Sequence, residues 1–177
     1  EAFLTFNNNN FDSALLSDQG YAIDSAITPP MIKYKLEWIK NDDGSIKVPF
    51  QVEAKVMADD DEDENFVMMR PGYQPMKGFK NLHVMGLDGY DQYKSHTSKS
   101  LGGALILLRD HLMPNKDSMT PVLTIRNRPR FKEMFYDNCL KAAVYFDLIG
   151  NVMFDVRSAL VAQYFKEKGC VKYLAPR

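Results

Sequence analysis

The chain has 177 residues, 45% of them hydrophobic, 25% charged and 12% aromatic, as expected of a normal globular protein with one core and room for a small appendage. A net charge of −1 excludes a global basic field, so any contact with nucleic acid has to come from a local patch. The two cysteines, Cys139 and Cys170, have no CxxC or Cys/His spacing; they exclude a disulfide framework and a structural zinc site, fit a reducing cytosol and read as small core residues. No apolar run approaches the ~20 residues that span a bilayer, and the N-terminus lacks a charged-then-apolar leader pattern, so no membrane partner is expected.

Residues 1–30 are rich in Asn, Ser and turn formers with brief apolar clusters, and read as an extended connector arm with short helical turns. Because the chain starts at Glu1 rather than Met, it reads as a piece of something longer. From Met31 the pattern alternates: YKLEWI, the turn NDDGS and IKVPFQV predict a leading β-hairpin with Asp43 and Gly44 at its turn. Trp38, Tyr34 and the many Met residues belong to packing there rather than to a base-stacking platform. Next, Asp59, Asp60, Asp61, Glu62, Asp63 and Glu64 form a run of carboxylates that repels itself, read as a solvated loop rather than a metal site.

Three short apolar runs follow, at 81–88, 100–110 and 121–127, each bounded by turn formers or polar residues and each predicting a strand. Between 128 and 147, Phe131, Met134, Phe135, Leu140, Ala143 and Val144 recur near helical spacing behind Pro129, which suits a first turn, so a long amphipathic helix is expected. The rest predicts a strand at 151–155, a helix at 157–169 stopped by Gly169 and a last strand at 170–175. The order β-β-β-α-β-α-β matches an α/β, ribonuclease H-like mixed sheet flanked by helices, here with an N-terminal arm and β-hairpin.

In that layout Asp88 and Asp155 each close a strand, and the carboxyl ends of adjacent strands in an open α/β sheet share one crevice. Two converging carboxylates are what two-metal phosphodiester chemistry needs, since hard Mg²⁺ or Mn²⁺ prefers oxygen ligands and two ions about 4 Å apart can activate water and stabilise the leaving oxygen. Asp91 can add a ligand from the following loop. The competing reading makes Asp88 and Asp155 turn and cap residues, positions that Asp also favours. Arg126, Arg128, Arg130 and Lys132 crowd one strand-to-helix junction, either lined up on phosphates or part of a solvated loop. Lys94, His96, Thr97, Ser98 and Lys99 read as a polar hairpin tip beside the acids, suited to holding a duplex without reading its sequence. Lys166, Lys168 and Lys172 read as a solvent face.

At these residues the chain resembles a known family. EAFLTFNNNNFD is similar to the segment of tailed-phage large terminases that follows the packaging ATPase. VMGLDGYDQYKSHTSKSLGGALIL resembles the first catalytic strand and hairpin of terminases from phages of Bacteroidetes hosts. RPRFKEMFYDNCLKAAVYFD and NVMFDVRSALVAQYFKEKGCVKYLAP resemble the next helix, strand and helix of the same family, so the likeness covers nearly the whole chain. It implies that residues 1–30 follow an ATPase domain and that 31–177 are a metal-dependent endonuclease domain cutting concatemeric viral DNA during genome packaging.

The resemblance further implies catalytic and metal-binding roles for Asp88, Asp155 and Asp91, with a two-metal Mg²⁺ or Mn²⁺ site. DNA contacts fall to Lys94, Lys99, Arg126, Arg128, Arg130 and Lys132. Where the family often has Glu followed by Asn-Asn, this chain has Asp155-Val156-Arg157, and the family's third carboxylate, near a final helix, has no counterpart before Arg177. Asp137 and Asp147 are the in-chain substitutes. Implied partners are double-stranded DNA, the portal protein and the small terminase subunit, in the cytoplasm of the infected bacterial host. The chain has no GxxxxGK(S/T) loop, so no ATP is expected on this domain. Two other readings stay open: a catalytically silent DNA-binding or portal-docking module of the same fold, and another ribonuclease H-like nuclease of resolvase type.

Overall fold

The computed structural model of the chain describes residues 31–76, 78, 82–88, 102–108, 120–127, 129, 131–154 and 158–176. The connector arm expected at 1–30 and the polar hairpin tip at 94–99 therefore lie outside the described residues.

Ile32, Tyr34, Leu36 and Trp38 recur at every second position, the period of a strand with one face inward, and they form β1 (Ile32–Trp38) with Tyr34 and Leu36 buried. It pairs antiparallel with β2 (Val52–Val56), Trp38 opposite Val52. The turn between them is where the sequence puts it. Asp43 accepts a hydrogen bond from the Ser45 amide at 2.9 Å, and Gly44 takes a φ of 82°, a left-handed conformation that costs glycine little. The second strand starts later than the expected 46–52. Ile46 makes only a single bridge to Lys40, and Pro49, which has no amide N–H to give a ladder, stands before the strand resumes at Val52.

The hairpin is not an appendage. A strand that the sequence reading missed, β3 (Val67–Met69), pairs with β1 on one side and with β6 (Thr120–Asn127) on the other. With β4 (His83–Asp88), β5 (Gly102–Leu108) and β7 (Val152–Phe154) this makes one seven-stranded mixed sheet in the order β2-β1-β3-β6-β5-β4-β7. The strands expected at 81–88, 100–110 and 121–127 are β4, β5 and β6, an antiparallel meander, and the strand expected at 151–155 is β7, parallel to β4. Antiparallel neighbours need only short turns, whereas the parallel return from β6 to β7 requires a crossover, supplied by helix α1 (Lys132–Tyr145).

Helix α1 is less amphipathic than its spacing predicts. From Asn138 to Tyr145 every residue is buried, because the helix lies against β1, β2 and β6 and also against helix α2 (Ala159–Glu167). α2 turns Val161 and Phe165, one helical turn apart, into the core. It stops where Gly169 adopts φ 69°, with the Cys170 amide donating back to the Phe165 carbonyl at 2.8 Å. The last strand expected at 170–175 is a correction: Val171–Tyr173 is a 3₁₀ turn, and only Leu174 bridges Val152 in parallel. The core centres on Leu36, Met69, Met85, Ile106, Leu123, Ile125, Phe135, Leu140, Leu148 and Phe165, each contributing about 1.5–3 kcal/mol by burial. Cys139 and Cys170 are free and buried, as expected, and burial pushes both thiols up in pKa. Among the described residues no helix is long and apolar enough to cross a membrane.

Candidate functional site

Strand β4 is built so that its last residue emerges from the core. His83, Met85 and Leu87 alternate into one buried face; Val84 is buried on the other, Gly86 half-buried and Asp88 exposed. The end of the strand is pinned from outside the sheet. Ser158, completely buried at the start of α2, donates its hydroxyl to the Leu87 carbonyl at 3.0 Å. In sequence, a serine before an apolar run signals a helix N-cap. Here the hydroxyl makes no cap hydrogen bond and reaches the neighbouring strand instead.

The cross-strand register brings a second predicted residue to Asp88. Asp88 lies opposite Gly103 on β5, and Gly103 lies opposite Arg126 on β6. Directly opposed residues of antiparallel strands project from the same face, so Asp88 and the exposed Arg126 share a face with only a glycine between them. Successive spacings of about 4.8 Å set their Cα atoms about 10 Å apart. The adjoining row, Leu87, Ala104 and Ile125, is buried on the opposite face and fixes the strands from below.

On the other side of β4, Leu87 is level with Phe154 of β7. The described parallel ladder ends there, and Asp155 lies outside the described residues, as do Asp91, Lys94, Lys99, Arg128 and Arg130. Among the described residues no group of three or more His, Cys, Asp or Glu side chains could hold a metal ion. Lys132, the first residue of α1, lines a groove between α1 and α2 with Tyr136, Tyr164 and Lys168, rather than joining the Asp88 row.

Neither in-chain substitute for a third carboxylate stands near Asp88. Asp137 is committed to structure: its Oδ1 accepts from the Trp38 indole at 3.1 Å and from the Tyr164 hydroxyl at 3.2 Å, and its Oδ2 faces Lys141 Nζ at 2.8 Å. Burial and the Asp137 charge together push the Tyr164 phenol up in pKa. This joint ties α1 to β1 and α2, and β1 is four strand positions from β4, on the order of 20 Å. Asp147, at φ 53°, precedes β7 and so lies at the opposite end of the β4–β7 pair from Asp88.

The acidic run behaves as its self-repulsion predicts: Asp59 to Glu62 and Glu64 are exposed, and Asp63 pairs with Lys35 at 2.7 Å. The hydrogen bond from Lys35, with one from the Asn65 amide, holds the Asp63 carboxyl below the usual carboxylate range. Asn127 donates to the Glu64 carbonyl at 3.4 Å, and buried Asn138 donates to Asn65 at 2.6 Å, so the end of the run is tethered beside the end of β6.

The histidine with a defined role is one that sequence reasoning did not single out. His83, 3% exposed at the start of β4, has its Nε2 2.6 Å from the Tyr73 hydroxyl and packs edge-on against Tyr73 and Phe146. Burial lowers its pKa to about 4, leaving the ring neutral at neutral pH. Five residues of strand, about 17 Å, separate it from Asp88, too far to act there. An apolar neighbourhood in sequence was the available signal, since NLHVMGL sets the histidine inside a strand pattern.

Comparison with protein-family models, with curated proteins and with solved structures finds no match for this chain.

Proposed function

We propose that the chain is a metal-dependent DNA endonuclease with a ribonuclease H-like fold, of the kind carried by phage large terminases. The observation that carries this reading is the placement of exposed Asp88 at the carboxyl end of β4, the strand flanked by antiparallel β5 and parallel β7. Support comes also from connectivity: a three-stranded meander, a helix crossover to the far side of its first strand, then a second helix. In such sheets the carboxyl ends of adjacent strands form the crevice where chemistry is placed.

Asp88 fits a divalent ion by chemistry, being a hard oxygen donor on an exposed strand end, and Asp155 and Asp91 are the further ligands that the sequence assigns. A bound Mg²⁺ or Mn²⁺ would supply Lewis acidity and a water of lowered pKa for attack on phosphorus. The protein's own part is to hold that site at the pinned end of β4 and to bring phosphate to it through Arg126. Arg128, Arg130, Lys94 and Lys99 are the further duplex contacts that the sequence assigns, and Lys132, which faces the α1–α2 groove, would contact DNA only away from the Asp88 row. In the assembled terminase the portal protein and the small subunit are the protein partners, in the cytoplasm of the infected host.

The test is cleavage of supercoiled plasmid with Mn²⁺ or Mg²⁺ by the chain and by its Asp88→Ala and Asp155→Ala variants. Cutting without sequence preference that disappears in both variants is the expected result. Strong preference for branched DNA would move the reading to a resolvase-type nuclease. A folded chain that binds duplex but never cuts with either metal would replace catalysis with a DNA-binding or portal-docking role.

A further inference from the structure

Among the described residues nothing accounts for a glycine at position 103. Glycine weakens the interior of a strand, and where no bulge or tight bend calls for it, it marks a place where something approaches the backbone closely. Here the backbone is not in the left-handed region, the register runs unbroken from Gly102 to Ile106, and a Cβ built at Gly103 meets nothing within 4 Å. A side chain would fit the sheet and would point into the space between Asp88 and Arg126.

That space has the character of an anion seat. One wall is a guanidinium, whose planar fork matches phosphate oxygens. The other is a carboxylate, which repels an anion directly and admits one only alongside a cation. The floor is bare strand backbone. The wall-to-wall Cα separation of about 10 Å, two strand spacings, accommodates a phosphodiester together with the two side chains that stand up from the sheet.

We infer that the Asp88–Gly103–Arg126 row seats the scissile phosphate, with Arg126 holding a non-bridging oxygen and the missing side chain at Gly103 providing the slot. The inference rests on the nuclease reading and sharpens it: the substrate group is placed on the β5 side of Asp88, and Arg126 becomes a substrate-binding residue of the reacting centre rather than one of several cations on a DNA track.

The experiment compares Gly103→Ala, Gly103→Val, Arg126→Ala and Arg126→Lys with the unchanged chain and with Asp88→Ala. Three quantities are measured: thermal melting, affinity for a short DNA duplex in Ca²⁺ across a salt series, and Mn²⁺-dependent cleavage. Valine suits a strand and has open space, so Gly103→Val is expected to melt near the unchanged chain while cleavage falls about 100-fold, the loss typical of a displaced reacting group. Gly103→Ala should show a smaller loss in the same direction, and guards against a valine variant that fails to fold. Arg126→Ala should weaken duplex binding and lower the slope of log affinity against log salt by about one phosphate contact, with Arg126→Lys restoring the slope.

If Gly103→Val and Gly103→Ala are folded and cut like the unchanged chain while Asp88→Ala is dead, the slot is wrong and the nuclease reading stands. If the unchanged chain never cuts but these substitutions still weaken duplex binding, the phosphate seat stands and catalysis falls. If neither cutting nor binding responds to Gly103 and Arg126, the inference is overturned.

Discussion

The two ends of strand β4 are five residues apart and have opposite characters. At the first, His83 is closed in by Tyr73 and Phe146 and kept neutral by burial. At the second, Asp88 stands exposed beside Gly103 and Arg126, over a buried row that packs without its help. One end spends a polar residue on closing the fold, and the other sets an acid and a guanidinium on an exposed face. Asp137 and Asp88 differ in the same way in exposure: Asp137 is half-buried and held by three donors from three elements, Trp38, Tyr164 and Lys141, whereas Asp88 is exposed. An acid with that many structural partners serves stability, and the proposed nuclease reading places its metal-binding acid at Asp88 instead.

The largest effect expected on this contrast is at Asp88. Asp88→Ala should abolish metal-dependent plasmid cleavage, a loss of about 1,000-fold or more equivalent to about 4 kcal/mol, while the urea midpoint stays put. A midpoint that drops with the activity would make Asp88 another structural acid.

Next is His83, through pH. Its folded pKa of about 4 lies below the ordinary 6.5, so the unfolded chain takes up a proton that the folded chain refuses. The stability that neutral His83 confers is fully present above pH 6.5 and is lost as pH falls towards about 4, by about 3 kcal/mol in all. Urea unfolding at a series of pH values should show the decline, and His83→Gln should flatten it between pH 6.5 and 4.5. An unchanged slope in the variant would assign the decline to other groups.

Asp137→Ala should cost about 2 kcal/mol, because it removes one acceptor from two donors and leaves the Lys141 ammonium, whose side chain is 10% exposed, without its carboxylate. The chain should still cut DNA under conditions where it is folded. A full loss of cleavage in a folded Asp137→Ala variant would bring Asp137 back as a metal ligand. The smallest effect is at Lys55, exposed between Glu37 and Glu53: Lys55→Ala should leave the urea midpoint unchanged within error, as exposed ion pairs usually do.

Much of the fold was legible because its signals are local. Period-two alternation in β1, glycines at the Gly44 turn and the Gly169 helix stop, and the apolar runs that became β4 to β7 each need only a short window of sequence. What escaped was decided at long range. β3 is three residues, too short to show a period, and becomes a strand because β1 and β6 offer it partners on both sides. The segment 170–175 has strand-like residues, but its neighbour β7 is only three residues long, and it settles for a 3₁₀ turn with one bridge. At the site, a strand ending in aspartate was readable, whereas the alignment of Asp88 with Gly103 and Arg126 depends on register across three strands, which no local pattern encodes. The Asp137 joint was invisible for the same reason: Trp38 and Tyr164 lie 99 and 27 residues away from it in sequence.

The β2 margin of the sheet bears on how the protein behaves at high concentration. A marginal strand with unsatisfied backbone groups is a template on which further copies can stack. β2 is five residues long, follows a proline that cannot donate to a ladder, and carries Glu53 and Lys55 engaged in a carboxylate–ammonium–carboxylate cluster with Glu37. A second molecule adding a strand at β2 would have to set its own side chains against that charged cluster, so strand addition is expected to be disfavoured at this margin.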